Sequence, residues 1–198
     1  MKRIFDVCVS GCAVMILSPL LVLIWLCVRL TSAGPGIFTQ LRVGKHNTEF
    51  RLYKFRTMYT RTYAGSAITV GSRDPRITPL GYVLRKYKVD EWPQLINVLK
   101  GDMSFVGPRP EVRKYVDMYN AEQIKVLNIR PGITDYASLL FINENELLGR
   151  SADPEYDYIH TIMPQKLKLN LEYIENQSFL GDIRLIFRTL FRIVGILK

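Results

Sequence analysis

Between Val7 and Val28 the chain carries about 22 consecutive residues without a charge, and no feature restricts its fold more. As a helix this run reaches across the roughly 30 Å hydrocarbon core of a bilayer, so taken alone it predicts a transmembrane helix. Two details favour another path. Ser18-Pro19 sits at the middle of the run, where proline removes a helical hydrogen bond and bends the axis. Basic residues flank both ends, Lys2 and Arg3 before it, Arg29 and Arg42 after it. Positive charge prefers the cytoplasmic side, so both ends want the same face. A helix broken at Ser18 and Pro19 that enters and leaves one leaflet meets that demand; a straight span is the simpler alternative. The run is too long for a signal peptide, and no small-residue cleavage pattern follows it cleanly. Cys8, Cys12 and Cys27 all lie inside it, where they act as small hydrophobes and form neither a disulfide framework nor a zinc site.

The 198 residues allow one domain with a real core. Their 27 Lys and Arg against 18 Asp and Glu leave a net charge of +9, which calls for an anionic partner. Nucleic acid fits poorly, because no zinc-finger spacing, RNP-like aromatic block or long basic arm is present. A membrane surface with phosphorylated ligands fits better. The fold class expected is α+β, mainly helical. After the turn Thr31–Gly36, Ile37–Leu41 and Phe50–Phe55 alternate as two strands of a hairpin joined across Gly44–Asn47. Arg61–Gly71 reads as a mobile loop, and Thr78 caps a helix running to about Val89, with Pro79 in its first turn and Leu80, Val83, Leu84 and Tyr87 on its apolar face. Glu111–Leu127 has the spacing of a helix, and Phe141–Asp157 reads as an acidic, irregular surface loop. From Lys166 the residues alternate like a strand, although the flanks suggest helix. Arg184, Arg188 and Arg192 recur every four residues among apolar neighbours that extend to Val194. That pattern is a basic amphipathic helix, which could lie on an anionic bilayer or pack on the protein's own core.

The chemistry is concentrated between Arg73 and Pro110. Asp90 and Glu91 are adjacent, followed by Trp92-Pro93 and an apolar run that Gly101 closes. This predicts a helix from about Glu91 to Lys100 with the carboxylates at its N-terminus, where free N–H groups receive phosphate. Arg85, Lys86 and Lys88 precede the pair, and Arg109 follows between two prolines, a stiff setting suited to bidentate recognition of phosphate. Carboxylates alone repel a polyphosphate; carboxylates with a divalent cation and arginines can hold one. The plainer alternative is an acidic helix cap. His46 and His160 lie far apart and read as ordinary residues.

Asp74–Thr78, the block Gly81–Pro110 and Arg130–Thr134 resemble, in order and spacing, the bacterial sugar transferases, the monotopic polyprenol-phosphate phosphoglycosyl transferases. The resemblance runs from the Lys2–Asp6 opening to about Leu190. It implies a re-entrant membrane hairpin over residues 1–33 and a catalytic part over 34–198, on the cytoplasmic face of the bacterial inner membrane. It also implies a UDP-sugar donor, undecaprenyl phosphate as acceptor and Mg²⁺ as cofactor. Asp90 would attack the β-phosphorus, releasing UMP and retaining a phosphosugar, while Glu91 would ligate the metal. Arg85 and Arg109, with Lys54 or Arg56 assisting, would hold the diphosphate; Arg130 would touch phosphate or merely anchor its loop. The product would enter capsule, lipopolysaccharide, exopolysaccharide or glycoprotein synthesis, with membrane lipid, downstream glycosyltransferases and a second copy of the chain as further partners. One departure stands out: many members continue after the threonine with Gly, an aromatic residue, Ala and Gln, whereas this chain has Asp135-Tyr136-Ala137-Ser138. That bears on sugar or base preference rather than reaction class. The rival readings are a non-catalytic membrane scaffold and a lipid-dependent glycosyltransferase that releases UDP.

Overall fold

In the computed structural model, which describes residues 1–60, 74–193 and 195, the apolar run belongs to a single helix, α1 (Lys2–Thr31). At 1.5 Å per residue α1 is about 45 Å long, and among the described residues it is the one helix long and apolar enough to cross a membrane. The break expected at Ser18-Pro19 does not divide it into two elements. Pro19 has no N–H for the carbonyl of Met15, and the Ser18 hydroxyl donates to that carbonyl instead, at 2.8 Å. The acceptor that proline orphans is thereby satisfied, and the helix continues.

Both ends of α1 are fastened to the rest of the chain. At its start the Lys2 ammonium pairs with Asp182 at 2.7 Å and donates to the Val106 carbonyl and the Tyr173 hydroxyl. Arg3 donates to the carbonyls of Val98 and Leu99, and buried Asp6 accepts the Phe105 N–H. At the other end Val28 packs on Phe55 and Leu84. The buried Arg56 guanidinium donates to the carbonyls of Val28, Ser32 and Ala33, taking up acceptors that a helix C-terminus leaves free. Between these anchors Met15, Ile16, Leu20 and Leu23 stand exposed.

The expected hairpin is present as antiparallel β1 (Ile37–Val43) and β2 (Glu49–Phe55), in register from Ile37 opposite Phe55 to Val43 opposite Glu49. α2 (Pro79–Lys86) starts where Thr78 predicts, its side chain accepting the Gly81 N–H at 2.9 Å, but it stops three residues early. Its buried positions are Gly81 and Leu84, whereas Val83 and Tyr87 face outward. α3 (Gln94–Lys100) ends at Gly101, whose φ of 96° suits only glycine well. β3 (Ser104–Val106) and β4 (Gly132–Thr134) form a short parallel pair.

Glu111–Leu127 is not the long helix its spacing predicts. It holds one turn of helix, α4 (Arg113–Val116), and part of a 3-10 segment, Gln123–Asn128. These bury Tyr115, Val116, Val126 and Leu127 in the main core against Tyr158, Met163 and Leu167. Residues 141–157, expected to be irregular, follow directly on α5 (Tyr136–Leu140) and hold two short helices, α6 (Glu144–Gly149) and α7 (Pro154–Asp157). The alternating segment from Lys166 is helical, in α8 (Met163–Glu175), where burial of Lys166, Leu167, Asn170 and Tyr173 follows a helical period. α9 (Phe179–Ile193) packs on the protein's own core through Leu185, which meets Val106 and Tyr173, while Leu180, Phe187, Leu190 and Phe191 remain exposed. The loop expected at Arg61–Gly71, and Val194, lie outside the described residues.

Candidate active site

Asp90 and Glu91 occupy a single 3-10 turn, Val89–Glu91, rather than the first turn of a helix. α3 begins at Gln94, with Pro93 at its cap position and no side chain capping it. The expected helix-terminal phosphate site is therefore replaced by a tighter device. Lys88, immediately before the turn, has φ 55°. A non-glycine residue in that region costs on the order of 1 kcal/mol, and here it swings the chain from α2 into the turn so that both carboxylates enter the interior.

The two carboxylates then part company. Glu91 Oε1 accepts from Lys54 Nζ at 2.9 Å and from Arg109 at 2.5 Å, and Oε2 accepts from Arg109 at 3.4 Å. Burial alone would raise its pKa, but Arg109 and Lys54 outweigh burial and hold it well below the usual carboxylate range. Asp90 is 6% exposed, and its Oδ1 has no hydrogen-bond partner. Burial and the neighbouring Glu91 charge push its pKa up, against the pull of Lys54, Arg85 and Lys88. One carboxylate is thus clamped as an anion by its cations, while its neighbour keeps a spare buried oxygen among cations.

Arg109 owes its place to the second sequence block. Gly107 and Gly132 cross so closely that a Cβ on Gly132 would lie 2.1 Å from the Gly107 nitrogen, so neither position accepts a side chain. Around that crossing Gly107 N–H donates to the Thr134 carbonyl and Gly132 N–H to the Pro108 carbonyl. The Arg109 N–H donates to Asp135 Oδ2 at 3.0 Å, and Asp135 also caps α5 through Ser138. Held at its backbone, Arg109 projects its guanidinium onto Glu91.

The residues fit a magnesium ion of the kind that binds mainly through its substrate. Among the described residues no group of three or more His, Cys, Asp or Glu side chains converges, so an ion here would have one or two carboxylates and otherwise phosphate oxygens and water. Mg²⁺ commonly takes that set, and the Glu91 carboxylate, beside the orphaned buried oxygen of Asp90, is a donor of the right type.

The sequence model of the bacterial sugar transferases matches residues 1–195. The chain belongs to that family. It is 37% identical over 96% of its length to an Aeromonas hydrophila UDP-N-acetylgalactosamine-undecaprenyl-phosphate N-acetylgalactosaminephosphotransferase, covering 42% of that protein. A Caulobacter vibrioides UDP-glucose:undecaprenyl-phosphate glucose-1-phosphate transferase is 35% identical over 95% of the chain and 67% of its own length. The uncharacterized sugar transferase EpsL of Bacillus subtilis is 33% identical over 98% of the chain and 87% of its own length. The chain thus spans from about two fifths to under nine tenths of the length of these relatives.

Not every cation expected in this sugar transferase's site is there. Lys54 and Arg109 meet Glu91, and Arg85 stands close enough to act on Asp90, its Nε donating to Thr57 Oγ1 at 3.1 Å. Arg56 serves the end of α1 instead, and exposed Arg130 donates to the Gly101 carbonyl at 2.9 Å, the loop-anchoring alternative. Two positioning residues escaped sequence reasoning. Asp135 looked like a departure from the family pattern, although an Asp before a short helical run is a cap signal. Fully buried Asn97 donates to the Arg51 carbonyl and accepts the Tyr53 N–H at 3.1 Å, tying α3 to β2 beside Lys54. Nothing in its local pattern marks it.

Proposed function

We propose that this bacterial sugar transferase moves a sugar 1-phosphate from a UDP-sugar to undecaprenyl phosphate. The observation that carries the reading is the split pair: a buried carboxylate with a free oxygen, Asp90, beside an anion clamped by Lys54 and Arg109. A carboxylate that keeps an unpartnered oxygen among cations is placed to act as a nucleophile on an anionic phosphorus. Asp90 attacks the β-phosphorus, the bond from that phosphorus to the bridging oxygen breaks, and UMP departs with the oxygen. The polyprenyl phosphate oxygen then attacks the same phosphorus, the aspartyl bond breaks, and the carboxylate is restored; no net proton is consumed. Arg85, Arg109 and Lys54 orient the diphosphate and spread its charge. Glu91, with Asp90 beside it, would hold Mg²⁺, which would neutralise charge on the phosphoryl oxygens.

The relatives' names, which include undecaprenyl-phosphate phosphotransferases for glucose and N-acetylgalactosamine, support the donor and acceptor classes. The anchoring of both ends of α1 to one body supports a re-entrant arrangement over residues 1–33, bent at Ser18-Pro19, with residues 34–198 on the cytoplasmic side of the inner membrane. The product commits a lipid-linked sugar to glycoconjugate assembly by downstream glycosyltransferases. The test is nucleotide release from a panel of UDP-sugars, with Asp90→Asn in parallel. UMP formed with one donor, together with a phosphosugar adduct lost in Asp90→Asn, is the expected result. Release of UDP, or full turnover by the variant, would overturn the reading.

A further inference from the structure

Next to the carboxylate turn lies an apolar cavity that the phosphate chemistry does not use. Val22 and Trp25 of α1 form one wall, Ile37 and Phe55 of the hairpin a second, and Pro93 and Ile96 a third. It is open on one side and holds about 160 Å³, and no polar surface faces it. An apolar cavity of roughly 150 Å³ accepts a benzene molecule, so this one accepts a five-carbon branched unit.

We infer that this cavity receives the first isoprene unit of the polyprenyl phosphate acceptor. The inference rests on the phosphosugar-transfer reading and deepens it. Three observations converge. Phe55 shares a packed cluster with Val89, the first residue of the carboxylate turn, and Pro93 stands two residues after Glu91, so the cavity adjoins the turn that the acceptor's phosphate must reach. One wall is α1, whose Val22 and Leu23 are exposed beside exposed Ile96, so the cavity opens onto the apolar flank of the membrane-length helix. Finally, hydrocarbon must begin immediately beyond the phosphate. A prenyl monophosphate has that layout. A diacyl phospholipid would bring its glycerol esters into the apolar wall first, leaving polar groups unpaired at a cost of about 1–3 kcal/mol each.

The double variant Val22→Phe/Ile96→Phe fills the cavity from two positions that are partly solvent-exposed in the native chain. In the full chain, the KM for farnesyl phosphate should rise about tenfold or more, as hydrophobic pockets discriminate by that order. UMP released without acceptor, which reads the donor half-reaction alone, should stay within about twofold. A second readout needs no catalysis. With Trp92→Phe, Trp25 is the remaining tryptophan of the two in the chain, and its fluorescence should respond saturably to farnesyl phosphate but not to dodecyl phosphate, a response the double variant loses. Equal responses to the two phosphates, or an unchanged response and KM in the double variant, would overturn the prenyl site. A prenyl-specific response without UMP from any donor would keep the site and overturn the transfer reading instead.

Discussion

Asp90 and Glu91 are neighbours of nearly identical chemistry, and their surroundings drive them apart. Glu91 is held ionised by Arg109 and Lys54, whereas burial and the Glu91 charge raise Asp90. A carboxylate attacks only when unprotonated, so the adduct proposed at Asp90 should form more slowly as pH drops through a value above the ordinary Asp pKa of about 3.9. Glu91→Gln removes a charge that raises Asp90 and leaves Lys54 and Arg109 unopposed. The acid limb should therefore move to lower pH, while the rate falls about tenfold or more. A pH profile of acceptor-free UMP release in both proteins checks this; a limb that does not move would mean that another group titrates. Stability should carry the opposite signs. The Glu91 contribution is present above the unfolded carboxylate value and lost as pH falls through its depressed folded value. The Asp90 term weakens the fold as pH rises through its elevated one.

At the scale of the element, β2 and the residue that follows it supply two cations with unrelated duties. Lys54, inside the strand, reaches Glu91, whereas Arg56, one residue past its end at Phe55, turns to the carbonyls at the end of α1. Arg56→Met should leave those carbonyls short of donors around a buried position and lower stability by about 3 kcal/mol. Lys54→Met should cost less stability, since Arg109 still pairs with Glu91, but should slow UMP release about tenfold or more. Thermal unfolding in detergent and nucleotide release, measured on both variants, separate the two roles. Equal loss of stability would remove the distinction.

Across the whole molecule, the start of α1 is bound to the far end of the chain through Lys2, Tyr173 and Asp182. Tyr173 donates to Asp182 at 2.6 Å, and Lys2 pairs with the same carboxylate. This joint fixes the membrane-length helix against α9, whose exposed apolar residues face outward. Asp182→Asn should lower Tm by about 3–6 °C, as loss of roughly 1.5 kcal/mol does in a chain of this size, with donor-side UMP release nearly unchanged. An unaltered Tm would show that packing of Phe5 on Phe105 and Phe179 carries the attachment.

Local pattern was enough for whatever depends on neighbours along the chain. Apolar length marked α1, alternation marked the β1–β2 hairpin, Thr78-Pro79 marked the start of α2, and the long central block marked the family. Pattern misjudged Glu111–Leu127, because a 3.6-residue spacing also arises when short turns feed a common core. It could not rank the cations, since Glu91 meets partners 37 and 18 residues away. Periodicity reports which residues share a face of one element; an ion pair depends on which faces of distant elements are packed together. That packing left Asp90 rather than Glu91 with the free oxygen, sent Arg56 and Arg130 to structural duties, and made Asp135 a support for Arg109. The residue types that make phosphoryl chemistry feasible are therefore written in the sequence, and the division of labour among them exists only once the tertiary structure brings the segments into contact.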